Sequence, residues 1–256
     1  MISETALEDI AAAMEIQEGE TVLEIGPGMG YLTECLLSKK AQVVAVERDD
    51  RMIRFLYTAI EAPFKLIPMD ILNLQLKNEI GSSGSIKVAG NIPYNITSPI
   101  LEWLVTQKKY VPLAVLTMQW EVAERLAAKP STKAWGPLSV FVQFHADVEV
   151  IRKIGKASFY PEPQVDSAVV RLRFLKNNRL GVADEAMFFS IVRKCFQKRR
   201  KTLLNGLSFL DISKEVLNSL LQKASIDPQR RPETLSLEEW AVLTGLLLAE
   251  HPKKVI

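Results

Sequence analysis

Thr21-Val-Leu-Glu-Ile25-Gly-Pro-Gly-Met-Gly30 sets the architecture that we predict for this chain. Its first five residues read as a buried strand, and the three glycines that follow read as a turn into a helix. A strand, a turn and a helix are the opening half of a βαβ unit. The turn alone is a weak indicator of a ligand, because glycines there can also serve tight packing.

Alternating segments continue this pattern downstream. We predict further strands at residues 42–46, 64–68, 86–90 and 113–118, with helices at 4–14, 30–39, 50–60 and 99–106. Such alternation predicts an α/β fold, with a parallel sheet, right-handed crossovers and helices on both faces. Segments 140–154 and 168–174 also read as strands, and the short loop between them predicts a hairpin at one sheet edge.

The pattern changes after Phe174, where a polar linker at 176–179 precedes segments that read only as helix. These helical segments lie at 184–204, 214–224 and 237–249. We therefore predict two domains, an α/β domain at residues 1–178 and a small helical domain at 179–256.

Composition excludes several classes of protein. The 256 residues contain no run of 18 or more apolar residues and no charged-then-apolar signal at the N-terminus. We therefore predict a cytoplasmic protein that does not span a membrane. Cys35 and Cys195 lie far apart in predicted helices, and neither His145 nor His251 has Cys or His neighbours at ligand spacing. These features predict reduced thiols and no metal site.

Basic residues are concentrated in one short stretch, although the formal net charge is only +2. The stretch contains Arg193, Lys194, Lys198, Arg199, Arg200 and Lys201. A single charge run is usually a solvated helix face. Here the basic residues occupy nearly every side of a predicted helix with few acidic partners nearby, which favours a polyanion as partner.

Asn91-Ile92-Pro93-Tyr94 follows the predicted strand at 86–90 and is suited to holding a flat ring that bears an amino group. The Asn91 side-chain oxygen and the backbone carbonyl beside Pro93 can accept hydrogen bonds from that amino group, and Tyr94 can stack on the ring. The alternative is a proline-containing turn with a half-buried tyrosine.

Other strand ends carry matching groups, and ligands of an open parallel sheet bind beyond those ends. Gly26 and Gly28 allow close backbone approach, Glu47 can accept from both hydroxyls of a ribose, and Asp70 can accept from an adenine amino group. Glu47 could instead begin a charged run, and Asp70 could merely cap a turn. The ordered set, ending at Asn91, favours an adenosine-type cofactor. The spacing Gly-x-Gly-x-Gly differs from the dinucleotide fingerprint, so S-adenosylmethionine fits better.

The chain resembles the S-adenosylmethionine-dependent rRNA adenine N6,N6-dimethyltransferases, from about residue 21 to 207. The motifs that carry the resemblance are Leu-Glu-Ile-Gly-Pro-Gly at 23–28, Gly-Asn-Ile-Pro-Tyr-Asn-Ile-Thr at 90–97 and Phe-Tyr-Pro-Glu-Pro-Gln-Val-Asp-Ser-Ala-Val-Val-Arg-Leu at 159–172. One branch of this family dimethylates two adjacent adenines near the 3′ end of small-subunit rRNA. Segments 127–140, 196–203 and 230–237 resemble that branch.

The resemblance implies a Rossmann-like methyltransferase domain, a helical RNA-binding domain and a role in ribosome biogenesis. It implies that Asn91 and the Pro93 carbonyl hold the target amino group, that Tyr94 and Phe159 pack on the base, and that Asn91 also borders the cofactor. The implied partner is small-subunit rRNA in a ribosomal subunit precursor, bound by a monomer through the basic stretch.

Two other functions stay open at this point. The second branch of the family methylates one large-subunit adenine and confers macrolide resistance. The chain could also be a non-catalytic ribosome-assembly or nucleic-acid-binding factor. The family carries a Gln-x-Phe-Leu segment ahead of the first helix that lines the cofactor site, and the present sequence begins after it. The resemblance therefore predicts weaker S-adenosylmethionine binding than in a relative that has this segment.

Overall fold

A computed structural model of the chain describes residues 3–81, 84–177 and 180–250. The middle of the predicted loop at 82–83, the predicted boundary at 178–179 and His251 lie outside these residues. The described residues divide into two compact units. The first runs to Glu124 and includes His145–Lys176, and the second contains Arg125–Phe144 together with the residues from Asn177 onward.

The first unit is built on one sheet. Within the described residues its strands are β1 (Thr21–Ile25), β2 (Gln42–Glu47), β3 (Lys65–Pro68), β4 (Lys87–Asn91), β5 (Leu113–Gln119), β6 (Ala146–Ile154) and β7 (Ser167–Phe174). Their order is β3-β2-β1-β4-β5-β7-β6. The first five strands pair in parallel, whereas β7 runs antiparallel to both β5 and β6. The predicted α/β class and the hairpin at one edge are confirmed.

Helices cover this sheet. They are α1 (Glu4–Ala13), α2 (Tyr31–Ser38), α3 (Asp50–Ala59), α4 (Leu76–Ile80) and α5 (Thr97–Thr106), with α6 (Trp120–Leu126) beginning in this unit. Ile10 and Met14 near α1 and Leu36 of α2 are fully buried in one core cluster with side chains of the strands. In β5 every residue except Gln119 is buried, which is typical of a strand covered on both faces.

The topology brings polar strand ends to one edge. The carboxyl ends of β1 to β5 lie at the same edge because these strands are parallel. β7 runs the other way, so its first residue, Ser167, lies opposite Gln119 at that same edge. Gly90 allows β4 to approach β1 closely, since a Cβ there would lie 3.0 Å from the Ile25 carbonyl oxygen. This edge carries the candidate site.

The second unit is helical in its described part. It contains α7 (Pro137–His145), whose last residue counts with the first unit, and then α8 (Glu185–Gln197), α9 (Leu203–Gly206), α10 (Lys214–Lys223) and α11 (Leu237–Glu250). Phe188 and Trp240 are fully buried in its core, together with Trp135 and Phe144 from the earlier segment. The Trp135 indole donates to the Leu235 carbonyl at 3.1 Å. A single boundary near residue 178 therefore leaves residues 125–144 out of the unit into which they pack.

Two predicted elements differ from the structure. The segment from Val140 to His145 is the end of α7 and not a strand, because a short apolar run fits a buried helix as well as a strand. The predicted long basic helix is wrong beyond Gln197, where α8 ends. The chain turns over residues 198–202, and Thr202 then caps α9, which buries Leu203 completely. Only Arg193 and Lys194 of the basic stretch are helical.

Candidate functional site

Asn91, Tyr94 and Phe159 line one cleft of about 260 Å³. Asn91 is the last residue of β4, and Pro93 leads the chain into a short 3₁₀ helix, Tyr94–Ile96. Phe159 comes from the other end of the unit, beyond β6, and Tyr160, Pro161 and Pro163 complete the wall. The cleft therefore joins the two motifs that sequence reasoning placed around a base.

The Asn91 carboxamide is half-buried at the cleft and has no side-chain hydrogen bond to any described residue. Two backbone carbonyls, those of Ile92 and Pro93, flank the Pro93 ring, and they differ in their hydrogen bonding. The carbonyl of Pro93 accepts from the Ile96 amide at 3.2 Å, closing the turn. The carbonyl of Ile92 has no hydrogen bond among the described residues. Between the two, the Ile92 carbonyl is the more available acceptor beside Asn91.

Tyr94 is held at its phenol end. The Tyr94 hydroxyl lies 2.6 Å from the Ser167 hydroxyl, and Ser167 is fully buried at the start of β7. The backbone of Tyr94 is held as well, since the Thr97 hydroxyl donates to its carbonyl at 3.1 Å. Sequence reasoning quoted Ser167 inside a motif and assigned it no role, because nothing in the sequence indicates a contact across 73 residues.

The three glycines after β1 have positive φ angles of 63°, 54° and 82°. Side chains added at Gly26 or Gly28 would meet no atom within 4 Å, so the backbone there borders open space. A Cβ at Gly30 would instead lie 2.7 Å from Ile60 Cδ1. Gly30 is therefore needed for packing against α3. Gly26 and Gly28 form an open turn, the glycine cradle, in which a ligand could approach the backbone closely.

Glu47 is the last residue of β2, and Asp70 lies two residues beyond the end of the neighbouring β3. Glu47 Oε1 accepts from the backbone amides of Arg48 and Asp49 at 2.8 and 2.9 Å, which leaves Oε2 for a ligand. Asp70 Oδ1 accepts from the Leu72 amide at 3.0 Å and so caps a 3₁₀ helix. Asp70 Oδ2 pairs with Arg48 at 3.1 Å. Asp70 thus caps a turn, as the alternative interpretation predicted. A ligand amino group bound there would share the Asp70 carboxylate with Arg48.

Glu24 and Thr117 are buried polar residues at this edge to which sequence reasoning gave no role. Glu24 accepts from the Thr33 hydroxyl at 2.6 Å. The pKa of Glu24 is raised to about 7, chiefly by burial; the Thr33 hydrogen bond opposes this shift and the neighbouring charge of Glu47 adds to it. The Thr117 hydroxyl has no hydrogen-bond partner in the described part of the chain, and Thr117 is the ladder partner of Asn91. Polar residues inside apolar strands are the signal that could have identified both.

The thiol and imidazole groups that are described lie outside the cleft. Burial raises the pKa of the Cys195 thiol to about 12, so it stays protonated in the core. Burial and the nearby Lys108 lower the pKa of His145 to about 4, so its imidazole is neutral near pH 7. Among residues 3–81, 84–177 and 180–250 no group of three His, Cys, Asp or Glu side chains could hold a metal ion. No helix among them is long and apolar enough to cross a bilayer.

Residues 198–201 of the basic stretch line a hollow of about 750 Å³ in the second unit. Its lining includes Lys198, Arg199, Arg200, Lys201 and Lys214, with Gln197, Asn205 and Ser208. The six predicted RNA-binding residues differ in their surroundings. Arg199 donates to the Lys133 carbonyl at 3.0 Å and Lys198 to Ser208 at 2.9 Å, whereas Lys194 lies 4.8 Å from the centre of the Phe209 ring. The side chains of Arg193, Arg200 and Lys201 are exposed and make no hydrogen bond or ion pair with a described residue.

Comparisons with known proteins agree on one family. The model of the family described as ribosomal RNA adenine dimethylase matches residues 1–245. Ribosomal RNA small subunit methyltransferase A of Clostridium botulinum is 41% identical over 249 residues, which are 96% of this chain and 90% of that protein. The crystal structure of a dimethyladenosine transferase from Plasmodium falciparum has a TM-score of 0.81 at 25% identity, covering 100% of this chain and 98% of that one. The 23S rRNA methyltransferase ErmE has a TM-score of 0.71 at 25% identity, covering 96% and 98%.

Proposed function

Because the chain belongs to the ribosomal RNA adenine dimethylase family, we propose that it dimethylates the N6 amino groups of two adjacent adenines near the 3′ end of small-subunit rRNA. The relative named as a small-subunit enzyme is 41% identical, whereas the structure of a 23S rRNA enzyme is 25% identical. This difference favours the small-subunit branch over the large-subunit alternative. The observation that carries the proposal is the shared cleft of Asn91, Tyr94 and Phe159.

The cleft would act on an adenine by orienting its amino group. That nitrogen is a poor nucleophile because its lone pair is delocalised into the ring. Asn91 and the carbonyl of Ile92 would accept its two hydrogens, which turns the lone pair out of the ring system. Tyr94 would stack on the base while Phe159 packs against it. Positioning of this kind can lower a barrier by about 7–11 kcal/mol at best.

The same residues fit a methyl donor placed next to the cleft. S-adenosylmethionine, when bound, supplies a methyl group that its positively charged sulfur activates. Gly26 and Gly28 would let the backbone approach it, Glu47 would accept from ribose hydroxyls, and Asp70 from the adenine amino group. Asn91 would border both ligands. A strong base is unnecessary because the substrate nitrogen becomes acidic once methylated, and no histidine lines the cleft in the described part of the chain.

RNA would be held mainly by its phosphates. The basic hollow of the second unit presents Lys198, Arg199, Arg200 and Lys201 on one surface, and clustered cations of this kind bind phosphates in a salt-dependent manner. The target adenine must leave its stack to enter the cleft, which costs a few kcal/mol, and phosphate contacts offset this cost. We place the chain, as a monomer, on ribosomal subunit precursors in the cytoplasm.

Tritiated methyl transfer to small subunits that lack the modification tests this function. We expect wild-type protein to label these subunits and to leave large-subunit RNA unlabelled. Asn91→Ala should lower kcat by at least about 100-fold at saturating S-adenosylmethionine, because the amino group is no longer oriented. Asn78→Ala, which removes an exposed amide from α4, is the matched control and should retain activity.

Three results would contradict the proposal. Full activity of Asn91→Ala would refute the assigned chemistry, and labelling of large-subunit RNA would favour the resistance branch. Wild-type protein that binds small subunits without labelling them would instead be the non-catalytic assembly factor. Circular dichroism of each variant establishes that a loss of activity is not a loss of fold.

A further inference from the structure

We propose that Ser167 is a positioning residue for methyl transfer, which acts by holding the phenol end of Tyr94 and thereby the position of its ring; this inference rests on the proposed function of the cleft. The two hydroxyls lie 2.6 Å apart, within the usual range for an O–H···O hydrogen bond. Ser167 itself does not line the cleft. Its effect on a bound base would therefore pass through Tyr94.

Ser167 is fixed by the sheet from both sides. It is the first residue of β7, where it is the ladder partner of Gln119 in β5 and of Ile154 in β6. It is fully buried, so water does not compete for its hydroxyl. A short side chain on a central strand has little freedom to move. The hydroxyl is thus a rigid anchor at the edge of the sheet.

Tyr94 needs such an anchor because its backbone lies in a 3₁₀ helix of only three residues, Tyr94–Ile96. The side chain has two rotatable bonds and is half-buried, so its ring could otherwise swing away from the cleft. Fixing the phenol oxygen, while the backbone is held by Thr97, restrains both ends of the side chain. Stacking on a base requires the ring to lie in a defined position.

The contact also assigns the chemical role of the phenol. Its one hydrogen bond to a described residue goes to Ser167, which lies outside the cleft where Asn91 and Ile92 would hold the substrate amino group. Tyr94 would thus contribute a ring face and no proton transfer. Removing the phenol oxygen or the Ser167 hydroxyl should have the same consequence, since each removes the same restraint.

The test is a double-mutant cycle on the full chain with Ser167→Ala, Tyr94→Phe and the double variant. We expect each single variant to lower kcat between about 10- and 100-fold, the range that a misplaced reacting group produces. The KM for S-adenosylmethionine should stay within about twofold of the wild-type value. The double variant should lose no more than the more severe single variant, because the two changes break one contact.

Ser139→Ala is the matched control for loss of a buried serine hydroxyl. Ser139 is fully buried in the second unit and donates to the Arg125 carbonyl at 2.6 Å. Its replacement should lower stability and leave kcat unchanged. If Ser167→Ala fails to fold, Tyr94→Phe alone decides the question, because it removes the other end of the contact from a half-exposed side chain.

Two results would overturn the inference: wild-type kcat in either single variant, or losses that multiply in the double variant. A wild-type protein without methyl transfer would refute the proposed function instead, so the two failures can be told apart.

Discussion

Glu24 is a carboxyl group that the fold buries at the end of β1, two residues before the glycine cradle. Burial is the main cause that raises its pKa to about 7, and the Thr33 hydrogen bond opposes the shift. In the unfolded chain the pKa would be near 4.5. The folded state therefore binds the Glu24 proton more tightly than the unfolded chain does, so the stability of the fold depends on pH.

Glu24 should make the protein less stable as pH rises. Its pKa is raised on folding, so its contribution is fully present below about pH 4.5 and is lost as pH rises through about 7. Glu24→Gln keeps a neutral hydrogen-bond acceptor for Thr33 at every pH. We expect the free energy of unfolding of wild type, minus that of Glu24→Gln, to fall by up to roughly 3 kcal/mol between pH 4.5 and pH 8. Urea unfolding of both proteins across this range measures the difference.

The exposed carboxylate of Glu34 on α2 offers the control, since Glu34→Gln removes a charge from water and not from the core. A difference between wild type and Glu24→Gln that does not change with pH would show that Glu24 is neither buried nor protonated as described. His145 affects stability in the opposite direction: its pKa is lowered to about 4 on folding, so its contribution to stability is lost as pH falls below about 6.5. Wild type and Glu24→Gln both retain His145, so its effect cancels when their stabilities are compared.

At the level of elements, the turn between β1 and α2 separates two uses of glycine. Gly28 and Gly30 both have positive φ, yet only Gly30 has neighbours that an added Cβ would meet. The nearest are Ile60 Cδ1 at 2.7 Å and Leu56 Cδ2 at 3.1 Å, and Leu56 is fully buried on α3. The sequence placed three equivalent glycines here, and only packing distinguishes them.

The two glycines should respond differently to alanine. Gly30→Ala should lower the free energy of unfolding by roughly 2–4 kcal/mol, from strain at positive φ together with overpacking against Ile60. Gly28→Ala should cost only about 1–2 kcal/mol of strain. Its methyl group would project into the open cradle, so S-adenosylmethionine should bind at least about tenfold more weakly. Urea unfolding and calorimetric titration give the two quantities. Ordinary affinity in Gly28→Ala would remove Gly28 from the cofactor site.

The position at which α8 ends determines which basic residues are suitable for testing RNA binding. A continuous basic helix would make Arg199 and Arg200 equivalent. The structure ends the helix at Gln197, and Arg199 then donates to the carbonyl of Lys133 within the same unit. Replacing Arg199 would thus disturb the fold of the helical unit as well as any RNA contact. Arg200 and Lys201 are exposed and are the better test of RNA binding.

On the scale of the whole molecule, attraction to RNA must be local because 32 basic residues nearly balance 30 acidic ones. Arg200→Gln with Lys201→Gln should weaken binding to small-subunit rRNA. If both residues contact phosphates, the slope of log K against log salt should become shallower by about 1.4, at about 0.7 per single-strand contact. S-adenosylmethionine affinity should stay unchanged. Binding measured at several salt concentrations gives the slope.

Lys39→Gln with Lys77→Gln makes the same change in net charge on exposed residues of the sheet unit and serves as the control. If the slope of log K against log salt became equally shallow in both double variants, net charge, and not the basic hollow, would attract the RNA.

Sequence patterns alone predicted the α/β class, the order of the five parallel strands and the family, and they singled out Asn91, Tyr94 and Phe159 as candidate site residues. These features are carried by local patterns, since apolar periodicity, glycine turns and short motifs are read within a few neighbouring residues.

The way in which those residues are supported is visible only in the folded chain. It brought Ser167 to Tyr94 across 73 residues and gave residues 125–144 to the helical core. It also ended α8 at Gln197 and buried Glu24. The physical reason is the same in each case: hydrogen bonds between distant segments, burial and packing depend on which surfaces meet when the chain folds, and no local pattern contains that information.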